Sequence, residues 1–248
     1  MEVYSADRSL KGKLRRRWAR LVNRRPARLS LDRPMVTFSF DDVPATAAGA
    51  GAAILEARDL NGTFFVAAGL AGQDSPFGLY AKDADARRLA AAGHEIACHT
   101  FSHLDCGKAD GPTIAADVAR NTQALKAMGV ETTTFAYPYG DVSPVAKAVL
   151  GPRFVLLRAL HHGVIETGAD LNQAPAVGIE GPDGEAIAVR WLNEAAARKA
   201  WLILFTHDVK EAPSPFGCTP AALQRLADKA LAMGFDIVTA AEGARRAA

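Results

Sequence analysis

The run Thr37-Phe38-Ser39-Phe40-Asp41-Asp42 decides how this chain is read. Together with Met35 and Val36 it has the length and apolar character of a buried β-strand, and it runs straight into two adjacent carboxylates. In α/β folds the carboxyl ends of the strands are where binding and chemistry are placed. Adjacent residues leaving a strand point different ways, so one carboxylate can bind a cation while the other stays free as a base. A helix N-cap is the competing reading, because Pro44 follows closely.

Three further strand exits carry polar or turn groups. The stretch His94-Glu95-Ile96-Ala97-Cys98-His99-Thr100-Phe101-Ser102-His103 places His99 and His103 four apart, a spacing that suits a Zn²⁺-like ion. A closed Cys2His2 site with Cys98 and Cys106 is the rival. It is disfavoured because Cys98 and His99 are neighbours on a strand and face opposite ways, and because it leaves Asp41 and Asp42 unexplained. His207 ends the apolar run from Trp201 to Phe205 and Thr206, which suits a general acid as well as a merely hydrogen-bonded histidine. Phe135-Ala136-Tyr137-Pro138-Tyr139-Gly140 leaves a strand into a rigid turn that can present a backbone N–H to an oxyanion. Together the four exits converge on metal-assisted hydrolysis.

Outward from these motifs, strands are expected at 35–40, 63–66, 95–98, 133–136, 154–157, 187–189, 202–206 and 236–238. Helices are expected near 45–58, 84–92, 113–128, 142–150 and 219–233, with Gly93, Gly129 and Gly234 as C-terminal glycines. This alternation predicts a parallel sheet covered by helices, either open or closed into a barrel. The Gly-rich stretch 159–186 reads as an irregular excursion. Gly49-Ala50-Gly51 is not a dinucleotide loop, since it starts nine residues beyond Phe40 and Ile54 stands in place of the third glycine.

With 248 residues, 49% of them hydrophobic and 23% charged, the composition is that of a globular chain with one large α/β domain. Three cysteines without a CxxC pair point away from a disulfide framework and toward a reducing compartment. Charge is unevenly spread: residues 1–33 hold 11 Lys/Arg against three acids, a net +8, and the remainder carries −6. Residues 1–33 therefore form a basic arm and 34–248 the catalytic domain. Leu14, Trp18, Leu21 and Val22 can share one helical face, so the arm reads either as a peripheral membrane or partner contact or as a solvated lead-in packed on the domain. It lacks the apolar core of a secretory signal, and the expected location is cytoplasmic, at most on the inner face of the membrane.

The four motifs, in this order, resemble those of the polysaccharide deacetylases of carbohydrate esterase family 4, the NodB-homology group. The resemblance runs from about residue 35 to 240 and implies an α/β fold, a distorted incomplete (β/α) barrel. It also implies a divalent metal, Zn²⁺ first and Co²⁺ or another ion next, bound by Asp42, His99 and His103. By the same resemblance Asp41 is the general base, His207 the acid, and the Tyr139 backbone N–H part of the oxyanion hole. The chain departs from the family at Ala136, where an Arg-x-Pro-Tyr motif has arginine; Arg158 and Arg190 are the candidates to replace it. Trp191 and Trp201 are the candidates for an aromatic wall.

What the resemblance implies is removal of acetyl groups from N-acetylglucosamine units of a bacterial polysaccharide, such as an exopolysaccharide or holdfast adhesin. An amidase or cyclic-imide hydrolase of the same fold and a non-catalytic carbohydrate-binding protein are the alternatives. No nucleic-acid partner is expected, because the basic arm has no base-stacking aromatic set beside it. A homodimer is left open.

Overall fold

The computed structural model describes residues 9–248; the first eight residues of the arm, Arg8 included, lie outside it. The strands are β1 (Met35–Asp41), β2 (Thr63–Val66), β3 (Asp74–Ser75), β4 (Gly78–Leu79), β5 (Glu95–Cys98), β6 (Thr134–Ala136), β7 (Leu156–Arg158), β8 (Val177–Gly178), β9 (Trp201–Thr206) and β10 (Asp236–Ile237). The helices are α1 (Leu10–Ala19), α2 (Ala52–Glu56), α3 (Asp83–Ala91), α4 (Gly111–Ala127), α5 (Pro144–Leu150), α6 (Gly184–Arg198), α7 (Pro220–Ala232) and α8 (Ala240–Arg246).

Eight strands form one sheet in the order β7-β6-β5-β2-β1-β9-β8, with β10 paired to the start of β1. Every pairing in it is parallel, from β1 against β2 and β9 through to β6 against β7. The path has two ends, β7 and β8, so the sheet is an incomplete (β/α) barrel. The strands β3 and β4 form a separate antiparallel pair, and helices cover the outer face of the main sheet.

Side-chain alternation assigns the two faces. Val36, Phe38 and Phe40 of β1 and Leu202 and Leu204 of β9 join Leu192, Leu223 and Leu226 of α6 and α7 in the outer layer. Met35, Phe65, Ala97, Ala136, Leu156, Trp201, Ile203 and Phe205 face the interior, together with Ala240 and Ala244 of α8. Asp41, His99, Arg158 and His207 have the same parity as these interior residues, so the pleat itself turns them inward at the carboxyl ends. Gly51 lies in the π-helical turn Ala47–Gly51, and a Cβ there would meet the Phe40 ring at 2.9 Å. Its role is close packing of that turn on β1, which accounts for the Gly-Ala-Gly run without any phosphate.

Two expectations need correction. Residues 187–189 are not a strand; they lie within α6, whose buried Ala188, Leu192 and Ala195 recur at helical spacing. The missing strand is β8, which sits inside the stretch 159–186 and extends the sheet beside β9. Trp201 is no aromatic wall, since it is fully buried at the start of β9 and its indole N–H donates to Thr37 Oγ1 at 2.9 Å.

The arm is tied to the body. Arg15 pairs with Asp141 at 2.7 Å, and the buried Lys147 ammonium donates to the Ala19 carbonyl and to Asp170. Arg25 donates to the Phe154 and Gly151 carbonyls, and Ala19 and Ala27 are buried. Trp18 and Leu21, which would be buried if the arm's apolar face packed on the domain, are instead 58% and 65% exposed. Among the described residues no helix is long and apolar enough to cross a membrane.

Candidate active site

Asp42 follows β1 with φ +58°, a left-handed conformation that turns its carboxylate back over the strand ends. His99 follows β5, and His103 comes one turn later, itself at φ +55°. The loop between them is fixed by Asp117, which accepts from the Phe101 and Ser102 N–H groups and from the Ser102 hydroxyl. Among the described residues, five of the eight non-glycine residues with positive φ, Asp42, Val43, Thr100, His103 and Tyr139, lie in these site loops, where strain of this kind concentrates. Asp42 Oδ1 sits 3.5 Å from His99 Nε2 and 3.3 Å from His103 Nε2.

This geometry fits a metal ion. The three ligand atoms lie within 4.8 Å of one another, and Asp42 Oδ1 is buried without a hydrogen-bond donor. His99 Nδ1 lies 2.9 Å from the Ala136 carbonyl, so that nitrogen carries the proton and donates it. The Nε2 lone pair is left facing Asp42. Burial and the neighbouring His103 hold the His99 imidazole low, at about 4, and therefore in the neutral form a ligand must have. The rival Cys2His2 arrangement is not formed: Cys98 Sγ accepts from the Asn121 side chain, and Cys98 and Cys106 belong to a separate apolar cluster.

Asp41 leaves β1 in the other direction and meets Arg158 at the end of β7, where Nη2 donates to Asp41 Oδ1 at 2.5 Å. Both are buried, and the guanidinium also lies over the Phe65 and Phe205 rings. Burial alone would raise the Asp41 pKa, but the charges of Arg158, His99 and His207 outweigh it and hold the carboxyl below its ordinary range. Ala136 and Arg158 are register partners on adjacent strands β6 and β7. The guanidinium absent from position 136 is thus supplied one strand over. Arg190, the other candidate, lies on α6, outside the strand-end cluster.

On the opposite flank His207 Nδ1 contacts Glu180 Oε1 at 3.0 Å and the Phe216 carbonyl at 3.2 Å, so Nε2 is the nitrogen left for chemistry. Burial works against the charged ring, yet the Glu180 hydrogen bond and the Asp41 and Asp42 charges raise its pKa to about 9. Phe77 and Phe216 pack on this imidazole with ring centroids 4.9 and 5.9 Å away. Asp208 holds the Phe216 loop by accepting from the Ser214 N–H and hydroxyl. Tyr139 stands at φ +59° in the Pro138–Gly140 turn, its ring 4.5 Å from that of His103.

All six expected residues therefore meet in one place. Sequence reading missed Glu180, Phe77 and Phe216. Glu180 had one usable signal, its position just beyond a strand end in the excursion. The phenylalanines replace Trp191 and Trp201 as the aromatic surface, because Trp191 lies on α6 against His162 and Trp201 lies at the amino end of β9.

Residues 29–151 match the family model described as polysaccharide deacetylase, a span that includes Asp41, Asp42, His99, His103 and Tyr139. No curated protein sequence matches the chain. Among solved structures, the chitin deacetylase of the fungal pathogen Colletotrichum lindemuthianum aligns with TM-score 0.63 and 21% identity over 87% of this chain and 90% of its own. A structure titled T48 deacetylase with substrate aligns with TM-score 0.61 and 22% identity over 87% and 93%. A mutant of a pseudoenzyme of carbohydrate esterase family 4 aligns with TM-score 0.58 and 14% identity over 88% and 69%. At these identities the likeness is one of fold.

Proposed function

We propose that this chain, which belongs to the polysaccharide deacetylase family, is a metal-dependent hydrolase that removes acetyl groups from N-acetylglucosamine units of a bacterial polysaccharide. The observation that carries the reading is the Asp42–His99–His103 ligand set with Asp41 on one side and His207 on the other. A pseudoenzyme shares the fold, so it is this complete set of groups, and not the fold, that supports catalysis.

A divalent ion, with Zn²⁺ or Co²⁺ suited to the two imidazoles and carboxylate, would polarise the acetyl carbonyl and lower the pKa of a water from about 16 to about 7. Water adds its oxygen to the acetyl carbon, the C–N bond breaks, and acetate and a free amine leave. Asp41 takes the water proton at Oδ2, since Oδ1 is held by Arg158. Arg158 keeps that carboxylate ionised and fixed in direction. The Tyr139 backbone N–H is assigned to the carbonyl oxygen as negative charge develops there. His207, protonated at neutral pH and held at Nδ1 by Glu180, gives its Nε2 proton to the departing nitrogen.

The cyclic-imide or amidase alternative drew its support from the missing motif arginine, and Arg158 removes that support. Acetate release from N-acetylglucosamine oligomers, with and without chelator and against a cyclic imide, is the test. Turnover of the imide alone would replace this reading, and no metal-dependent acetate release from any acetylated glycan would reject it.

The membrane contact is part of the same proposal. Leu10, Leu14, Trp18 and Leu21 are exposed at 79%, 66%, 58% and 65%, at spacings of four, four and three along and just beyond α1. Arg16, Arg17 and Arg20 accompany them. An apolar stripe flanked by arginine fits an anionic lipid surface, here the inner face of the membrane carrying a lipid-linked glycan. Trp18→Asp should lower co-sedimentation with phosphatidylglycerol vesicles while leaving oligomer turnover unchanged. Unaltered vesicle binding, or a stripe that proves to be a dimer contact by light scattering, would refute it.

A further inference from the structure

Beside the Arg158–Asp41 flank lies a second cleft of about 500 Å³, lined by Arg20, Arg24, His161, His162, Asp170 and Gln173 among others. It takes no part in the chemistry above. His161 follows Arg158 by three residues, a stretch of chain that spans at most about 11 Å. Leu160, between them, packs against Gly140: a Cβ at Gly140 would lie 2.5 Å from Leu160 Cβ. Through Leu160 the cleft is thus connected to the Tyr139 turn.

Its net charge is positive. Asp170 is the carboxylate in the lining, and it is taken by the buried Lys147 ammonium at 2.6 Å; its other oxygen accepts the Arg25 and Asn172 N–H groups. Arg24 is steadied by the Gly168 carbonyl and stands 4.0 Å from Asp170. Arg20 has no carboxylate partner among the described residues. Burial, and then the Arg20 charge, lowers the His161 pKa, so this ring enters the cleft neutral, as both donor and acceptor. Gln173 adds an amide whose Oε1 has no donor. Two guanidinium groups beside neutral imidazole and amide groups match an anion that also carries hydroxyls.

We propose that this cleft binds an anionic group carried on the glycan, a sugar phosphate or a uronate carboxylate. The inference rests on the deacetylase reading for the word substrate, but the site itself can be tested without turnover. Titration calorimetry of the full-length, metal-free protein uses three probes: N-acetylglucosamine 1-phosphate, glucuronic acid and neutral N-acetylglucosamine. At least one anionic probe should bind about tenfold more tightly than the neutral sugar, the scale expected of two partly exposed charge pairs. The preference should weaken with salt and vanish in Arg20→Glu, while Arg20→Lys retains most of it. Equal affinity for charged and neutral sugars, or a preference that survives Arg20→Glu in a protein with unchanged melting temperature, would overturn the proposal. A phosphate-only preference points to a lipid-linked or phosphorylated glycan, and a carboxylate-only preference to a uronate. Anion preference without acetate release from any substrate would refute the deacetylase reading and leave the cleft standing. Acetate release without anion preference would do the reverse.

Discussion

Replacing Arg158 with methionine keeps most of the side chain's bulk and removes its charge from beside a carboxylate that is only 2% exposed. Opposite charges about 4 Å apart in an effective dielectric near 20 attract by about 4 kcal/mol, and breaking a buried pair typically costs about 3–5 kcal/mol. The sign of the pH effect follows from Asp41. Its folded pKa lies below the ordinary 3.8, so it contributes stability above that value and loses it as pH falls. Without Arg158, burial dominates and pushes the carboxyl up, so stability is lost at neutral pH and the base is protonated over a wider acid range. Arg158→Met should therefore lose unfolding free energy in urea, move the acid limb of kcat/KM upward, and slow turnover at pH 6 by about 10²-fold, the lower end for a general base. Because 136 and 158 are register partners, Ala136→Arg in the Arg158→Met background should restore much of the activity and return the limb toward its original position. Metal content, measured on each variant, should not change. An Arg158→Met protein that turns over within about threefold of the parent, with its acid limb unmoved and both measured under the 10²-fold expectation above, would show that Arg158 is not what holds Asp41.

Other outcomes follow from the same site. Asp41→Asn should keep its metal by elemental analysis while slowing acetate release by about 10²–10⁴-fold, since an amide cannot take the proton. His103→Ala should lose both metal and activity, and the thermal stabilisation that added Zn²⁺ gives the parent, about 2.7 kcal/mol at a hundredfold excess over Kd, should disappear. The His207 proton should appear as an alkaline limb between its ordinary 6.5 and about 9, with the stabilising contribution of the protonated ring present below 6.5 and lost as pH rises through the folded value. A bound cation acts against the protonated ring and draws the limb toward the lower value. Glu180→Gln should draw it lower still, with KM little changed; an unmoved limb would detach His207 from the acid role.

The residues that became the site were visible because each stands at a strand exit. Apolar runs ending at Asp41, His99, Ala136 and His207 are local features, and a parallel sheet converts them into one rim whatever the details of packing. Local reading failed where the deciding contacts were remote. Ile187 and Val189 look like a strand in isolation, yet Ala188, Leu192 and Ala195 find a buried surface only as a helix on the outer layer. Phe77 and Phe216 come from loops, and nothing local marks a loop phenylalanine as the neighbour of His207.

By itself, then, the order of hydrophobic and polar residues determined the parallel α/β class, the inward parity of Asp41, His99 and His207, and the types of group available for metal and proton. Tertiary structure decided which groups face one another. Arg158 and Glu180 lie 117 and 27 residues from the side chains they hold, and only the pairing of β6 with β7 and of β8 with β9 brings them there. The same holds for the arm: its charge and apolar spacing were legible, but that Arg15 and Ala19 dock while Leu14 and Trp18 stay outside depends on Asp141 and Lys147, more than a hundred residues away. Strand periodicity is a property of neighbours in the chain, whereas electrostatic partnership depends on distance in space, and that is set only when the strands pair into the sheet.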